Sequence, residues 1–214
     1  MSVETKSNLR SKGMNEMKVK GHEIGRIVAG VGWPGDRPGA IVVVGEERLP
    51  DIDSGKHHYH VIAFAEESDI WVLLDKCAEI SRDPSVDFVA RTSWHQCGPT
   101  LESYNQDRDD RGLPLLNIAW AIHSKPDGLI GYHLNNLRKV FRSGQMKRND
   151  LGKTLDLRLD DIGPDGNVNE VVDVEHPAVA ALGYAVATLT DLWPLPEQDE
   201  FEYEGDTVDE TTGY

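Results

Sequence analysis

The sequence predicts an α/β fold in which a mixed β-sheet is flanked by helices. Between residues 26 and 65, three β-branched, apolar segments joined by turns predict an antiparallel three-strand meander. After residue 68, segments with helical periodicity alternate with short apolar segments, which predicts helices that connect parallel strands. No apolar run in the 214 residues approaches the roughly 18 residues of a membrane span. No membrane partner is therefore expected.

The meander comprises strands at residues 26–33, 40–45 and 58–65. A Pro-Gly turn ends the first strand, and a charged, turn-rich segment separates the second from the third. The first two strands are apolar at nearly every position instead of at alternate positions. Strands of this kind are usually covered on both faces, so we expect packing layers on both sides of the sheet.

The remaining elements follow the meander in chain order. They are a helix with Ser68 as its N-cap that ends before Pro84, a parallel strand at 86–90, a helix at 99–106, a strand at 113–122, a helix from Pro126 to Gly144, an exposed edge strand at 155–159, a short strand at 168–174, and a helix from Pro177 to Trp193. The last helix is rich in alanine, and such small side chains allow a helix backbone to approach a sheet closely.

Charge is distributed unevenly along the chain. The net charge is −15, from 37 acids and 22 bases, and residues 197–214 hold eight acids and no Lys or Arg. We expect a flexible N-terminal arm at 1–25, one domain at 26–194 and a disordered acidic tail at 195–214. The charge argues against broad nonspecific binding of nucleic acid by the whole surface.

The N-terminus has no apolar leader segment, which predicts a cytoplasmic location. Two cysteines, Cys77 and Cys97, fall in different predicted elements and are expected to be buried or free thiols of a reducing compartment.

Three segments resemble the C-terminal nuclease domain of phage terminase large subunits, over about residues 24–192. They are Gly30-Val-Gly-Trp33, the helix from Gly128 to Gly144, and Ala180-Ala-Leu-Gly-Tyr-Ala185. The order of elements is also that of this family's ribonuclease H-like fold. The resemblance implies a metal-dependent endonuclease domain of viral or prophage DNA packaging in the host cell cytoplasm. It also implies double-stranded DNA and phage packaging proteins as partners, and Mg²⁺ or Mn²⁺ as cofactor.

Members of that family cut DNA with two metal ions held by carboxylates on the first strand, the fourth strand and the last helix region. The matching positions here are Gly32, Arg91 and Ala180, and none is an acid. The departure predicts a catalytically degenerate nuclease domain. The alternative is a noncatalytic protein-binding or assembly module on the same fold.

Acids near these positions are candidates to replace the missing ligands. Asp36, Asp173 and Glu175 are candidate metal ligands, and Asp87 is a further candidate for catalysis. A basic cluster near the end of the 126–144 helix is the candidate DNA-binding surface; alternatively, its cations simply favour a helix C-terminus. The cluster consists of Arg138, Lys139, Arg142, Lys147 and Arg148.

Two weaker sites involve histidine. His58 and His60 would face one side of a strand and could bind a transition metal, although a hairpin end with partly exposed histidines is the simpler interpretation. His95 and Cys97 form a close Cys-His pair, but nucleophilic catalysis would also need a group that orients the base.

Overall fold

The computed structural model describes residues 18–19, 22–53, 55–91, 94–121, 126–147, 149–162 and 176–190. Most of the predicted arm, the predicted strand at 168–174 and the whole acidic tail lie outside these ranges.

Six strands form one mixed sheet in the order β4-β3-β2-β5-β6, and β1 pairs with β2 beside this series. β2–β3 and β3–β4 are antiparallel, while β2–β5 and β5–β6 are parallel. The predicted meander and the parallel fourth strand are therefore confirmed. The strands are β1 (Lys18–Val19), β2 (His22–Gly32), β3 (Gly39–Glu47), β4 (Tyr59–Glu67), β5 (Val86–Arg91) and β6 (Ala119–Ala121).

The described residues contain α1 (Ile70–Ile80), α2 (Trp94–Asp110), α3 (Pro126–Arg142), α4 (Asp150–Asp161) and α5 (Pro177–Leu189). α2 extends beyond the predicted 99–106 at both ends, and β6 is much shorter than the predicted strand. Gly144 follows α3 at φ 72°, in the left-handed conformation expected of a glycine that ends a helix. None of the described helices is both long enough and apolar enough to cross a membrane.

The predicted edge strand at 155–159 is wrong, because these residues belong to α4. Leu155 and Leu159 are buried at 0% and 2% exposure, whereas Leu157 between them is 68% exposed. Burial at a spacing of four residues is helical. The side chain of Asn149 accepts a hydrogen bond from the Gly152 amide and caps the helix start.

The predicted N-cap of α1 is also wrong by one residue. The carboxylate of Asp69, not the side chain of Ser68, accepts hydrogen bonds from the amides of Trp71 and Val72, at 2.7 and 3.4 Å. The charged cap satisfies the helix amides and also suits the positive end of the helix dipole.

Apolar side chains cover both faces of the sheet, as predicted. Val28, Val42 and Val44 pack in one cluster with residues of α3, α4 and α5. The intervening strand residues, such as Ala29 and Val43, pack in a second cluster with residues of α1 and α2. The second cluster includes Cys77, a free and fully buried thiol.

α5 lies directly against β2, as its small residues predicted. Every residue of α5 except Thr188 is buried. A Cβ atom added to Gly30 would lie 1.8 Å from the carbonyl oxygen of Ala181, and one added to Gly32 would lie 2.2 Å from that of Pro177. Both glycines are therefore required by the approach of the helix backbone, since any side chain would overlap it.

We predict that Gly30→Ala lowers the free energy of unfolding by about 3 kcal/mol, because the new methyl group must displace backbone. Urea unfolding followed by tryptophan fluorescence measures the change. The matched control is Gly45→Ala, whose Cβ would meet side-chain methyl groups of Ile62 and Ile24 instead of backbone. We expect a clearly smaller loss there, and equal losses would contradict the close helix–strand packing.

Candidate functional site

The sheet edge where the nuclease resemblance would place a metal site lies at the C-terminal ends of β2 and β5. Val31 pairs with Ala90 in parallel register, so these two strand ends are adjacent. Gly32 ends β2 and Arg91 ends β5. The two positions implied by the resemblance are therefore neighbours, and neither supplies a carboxylate.

The start of α5 occupies the space in front of Gly32. A Cβ on residue 32 would lie 2.2 Å from the oxygen and 2.8 Å from the carbonyl carbon of Pro177. A carboxylate there has no room unless the helix moves. The third implied position, Ala180, is 7% exposed and belongs to the core cluster on this face. An acid at that position would be buried among apolar groups.

The replacement acids that the structure describes do not converge on this edge. Asp36 is exposed in the turn after β2. Asp87 is exposed and pairs in register with Val28, four residues before Gly32. At the rise of a β-strand this separation is about 13 Å. Asp173 and Glu175, the two remaining candidates, lie outside the described residues.

The predicted basic surface is only partly assembled among the described residues. Lys139 and Arg142 are exposed at the end of α3, while Arg138 and Lys147 are half-buried. The amide of Lys147 donates a hydrogen bond to the carbonyl of Tyr59, which ties this segment to the edge of β4. Arg148 lies outside the described residues. The arrangement fits cations at a helix C-terminus.

A dense group of ionisable side chains lies at the opposite end of the sheet, where β2 begins, β3 ends and β4 begins. We call it the histidine–glutamate cluster; it consists of His22, Glu47, His58 and His60. The Glu47 carboxylate is its centre. His60 Nε2 lies 2.7 Å from Glu47 Oε1, His22 Nδ1 lies 3.3 Å from the same oxygen, and His58 Nδ1 lies 3.6 Å from Oε2.

The antiparallel register of the meander assembles this cluster. Gly45 pairs with His60 across β3 and β4, so Glu47 extends toward the residues that precede His60. The amide of Glu47 donates to the carbonyl of His58. His22 reaches the same carboxylate from the first residue of β2, and its ring lies 5.5 Å from that of His60.

Burial differs strongly within the cluster. His60 is 3% exposed and Glu47 is 9% exposed. The side chains of His58 and His22 are 15% and 52% exposed, so the cluster opens to solvent on their side. A buried carboxylate needs hydrogen-bond donors, and the imidazole of His60 satisfies that requirement.

The environment shifts the pKa of both buried groups. Burial lowers the pKa of His60, and its hydrogen bond to Glu47 only partly reverses this, so the net pKa lies below the ordinary 6.5. Burial raises the pKa of Glu47, but the hydrogen bond from His60 and the nearby histidine charges outweigh it. The net pKa of Glu47 lies below its ordinary 4.5.

Sequence reasoning found His58 and His60 but not Glu47 and His22. The missing signal was the register of the meander, because a hairpin between the second and third strands places the end of one beside the start of the other. As they stand, no three His, Cys, Asp or Glu side chains of the described ranges could hold a metal ion together. The side chains of His95 and Cys97 lie outside the described part.

Comparison with protein-family models, with curated proteins and with solved structures finds no match to this chain.

We predict that the protein loses stability as the pH falls from 7.5 to 5. The folded-state pKa of His60 is below its unfolded value, so the unfolded chain binds this proton more tightly. The stability that neutral His60 provides is complete above about pH 6.5 and is lost as the pH falls through the folded pKa. The lowered pKa of Glu47 adds a second loss below its unfolded value of 4.5.

Urea midpoints at several pH values, in buffer containing EDTA, test this expectation against the variant His60→Gln. The amide cannot gain a proton, so we expect a flatter dependence of the midpoint on pH between 7.5 and 5. An unchanged slope in the variant, or a wild-type protein that gains stability in acid, would contradict the described surroundings of His60.

Proposed function

We propose that this chain is a noncatalytic protein-binding or assembly module on a ribonuclease H-like fold. In this proposal, the order of its strands and helices is that of a terminase nuclease domain from viral or prophage DNA packaging. The domain has lost the site that would cleave DNA. The observation that carries the proposal is the contact between the start of α5 and Gly32, which fills the position from which the first catalytic acid would project.

The arrangement of the sheet supports the ribonuclease H-like part of the proposal. A three-strand antiparallel meander forms one side, and β5 and β6 extend it in parallel beyond β2. Helices cover both faces, with α5 against the glycine face of β2. These features match the order of elements that the resemblance implies.

The loss of cleavage is supported by steric and electrostatic reasoning at the strand ends. Two divalent ions about 4 Å apart require several converging carboxylates. Gly32 has no space for a side chain, Ala180 is buried in the core, and Asp87 lies about 13 Å back along the sheet.

A surface formed by α1, α2 and the loop after α2 supports a role in protein contact. Trp71 on α1 is 45% exposed and its ring lies 5.7 Å from that of Tyr104 on α2. Arg108 stacks on Tyr104 at 5.6 Å and donates to the carbonyl of Pro114, beside the exposed Leu115. Trp71 is exposed and Arg108 is half-buried, and Trp and Arg beside apolar side chains are typical of residues that dominate protein interfaces.

We predict that the purified full-length chain does not nick supercoiled plasmid DNA in Mg²⁺ or Mn²⁺ above the level seen in EDTA. The double variant Asp173→Ala and Glu175→Ala serves as the matched control, because these are the two candidate metal ligands that precede α5 in the sequence. Metal-dependent nicking by the wild type that the double variant lacks would show a site rebuilt from these acids, and would contradict the proposal.

A further inference from the structure

We propose that the surface formed by α1, α2 and the loop after α2 docks a basic amphipathic segment of a partner protein, one that carries both apolar side chains and Lys or Arg. The inference rests on the proposed function, because it names the chemistry of the partner that the module binds. We call this surface the α2 face. Its exposed apolar side chains are Trp71, Val72, Leu113 and Leu115.

The two sides of the α2 face are joined through Tyr104 on α2. Its ring lies 5.7 Å from the ring of Trp71 on α1, and the guanidinium of Arg108 lies over it at 5.6 Å. Arg108 also donates through Nε to the carbonyl of Pro114 at 2.7 Å, between the two exposed leucines of the loop. The exposed apolar groups of α1 and of the loop therefore belong to one surface.

An open groove of about 540 Å³ lies on this face, and its loop wall is fixed to α2. The Asn105 side chain donates to the carbonyl of Leu116 at 3.0 Å and accepts from its amide at 2.9 Å. Leu116 itself is buried in the core. A groove that is already formed costs little ordering when a partner binds. Its lining consists of Glu102, Ser103, Asn105, Gln106, Asp109 and Leu115.

The charge of the groove indicates what occupies it. Glu102 and Asp109 are exposed, and among the described residues no ion pair joins either of them to a cation. The nearest cations already have partners. Arg108 is held by Tyr104 and by the loop carbonyl, and Arg111 Nη1 lies 3.0 Å from Asp107 Oδ2. The groove therefore presents two carboxylates whose charge the fold does not balance.

These carboxylates favour a cationic partner over the other classes. A purely apolar partner would strip their water without returning hydrogen bonds, which is costly. The phosphates of nucleic acid or of an anionic membrane would be repelled. A Lys or Arg of the partner would replace the lost water with charge-assisted hydrogen bonds. Apolar side chains of the same segment would then cover Trp71 and Leu115.

Fluorescence anisotropy of two labelled synthetic peptides, measured with the full-length chain, tests the inference. Both are amphipathic and about 18 residues long, one built of Leu and Lys and the other of Leu and Glu. We expect saturable one-to-one binding of the Leu–Lys peptide that weakens with salt, and no binding of the Leu–Glu peptide. Absence of saturable Leu–Lys binding, or equal binding of both peptides, would overturn the inference.

Hydrogen exchange of the complex locates the bound peptide. We expect the Leu–Lys peptide to slow amide exchange in α2 and in residues 111–118. Slower exchange confined to other segments, such as the acidic residues 197–214, would overturn the inference.

Paired variants separate the α2 face from the overall negative charge. Glu102→Gln with Asp109→Asn should weaken peptide binding by about tenfold or more, and Leu115→Ser by about fivefold. The matched control is Asp53→Asn with Asp160→Asn, which removes two exposed carboxylates in the loop after β3 and at the end of α4. It should stay within about twofold of the wild type. Equal weakening by both double variants would overturn the inference.

The outcome is distinguishable from failure of the proposed function. A chain that does not nick plasmid DNA and does not bind the Leu–Lys peptide overturns the basic partner alone. Metal-dependent nicking overturns the proposed function, whatever the peptide does.

Discussion

The close contact between the backbone of α5 and the glycines of β2 determines much of this structure. Gly30 and Gly32 allow the carbonyl groups of Ala181 and Pro177 to lie where side chains would otherwise project. The contact buries nearly all of α5 and seals one face of the sheet. The same packing fills the end of β2 at which the nuclease resemblance would place a catalytic carboxylate. In the proposed function, the contact that stabilises the fold is therefore also the reason why the strand end cannot carry a catalytic acid.

The two ends of β2 differ in chemistry. At its C-terminal end, glycines and alanines meet helix backbone, and the described acids lie exposed or far along the sheet. At its N-terminal end, three imidazoles surround one buried carboxylate. The strand register produces both arrangements, because it places Gly32 beside the end of β5 and brings Glu47 to the residues around His60. Among the described residues, the ionisable side chains in close mutual contact therefore lie away from the edge that the nuclease resemblance indicates.

The meander, the parallel fourth strand and the close packing of the last helix were predictable from short stretches of sequence. The signals were β-branched runs, a helical segment between two strands, and a run of small residues. The segment 155–159 was misread because leucines at alternate positions fit a strand as well as a helix; the cap at Asn149 decides for the helix. Glu47 and His22 were missed because their meeting depends on pairing between strands. The sequence also showed that Gly32 is not an acid, but only the position of Pro177 explains why no acid fits there.

The variant Gly32→Asp tests the central claim most directly, with Gly112→Asp as a control at a position where nothing lies within 4 Å of an added Cβ. The positive φ of residue 112 costs an Asp side chain about 1 kcal/mol, so that control should lose clearly less stability than Gly32→Asp. If α5 occupies the space in front of residue 32, Gly32→Asp will lower the free energy of unfolding by about 3 kcal/mol or more and will not nick plasmid DNA. A variant that keeps wild-type stability and gains nicking in Mn²⁺ would contradict the claim.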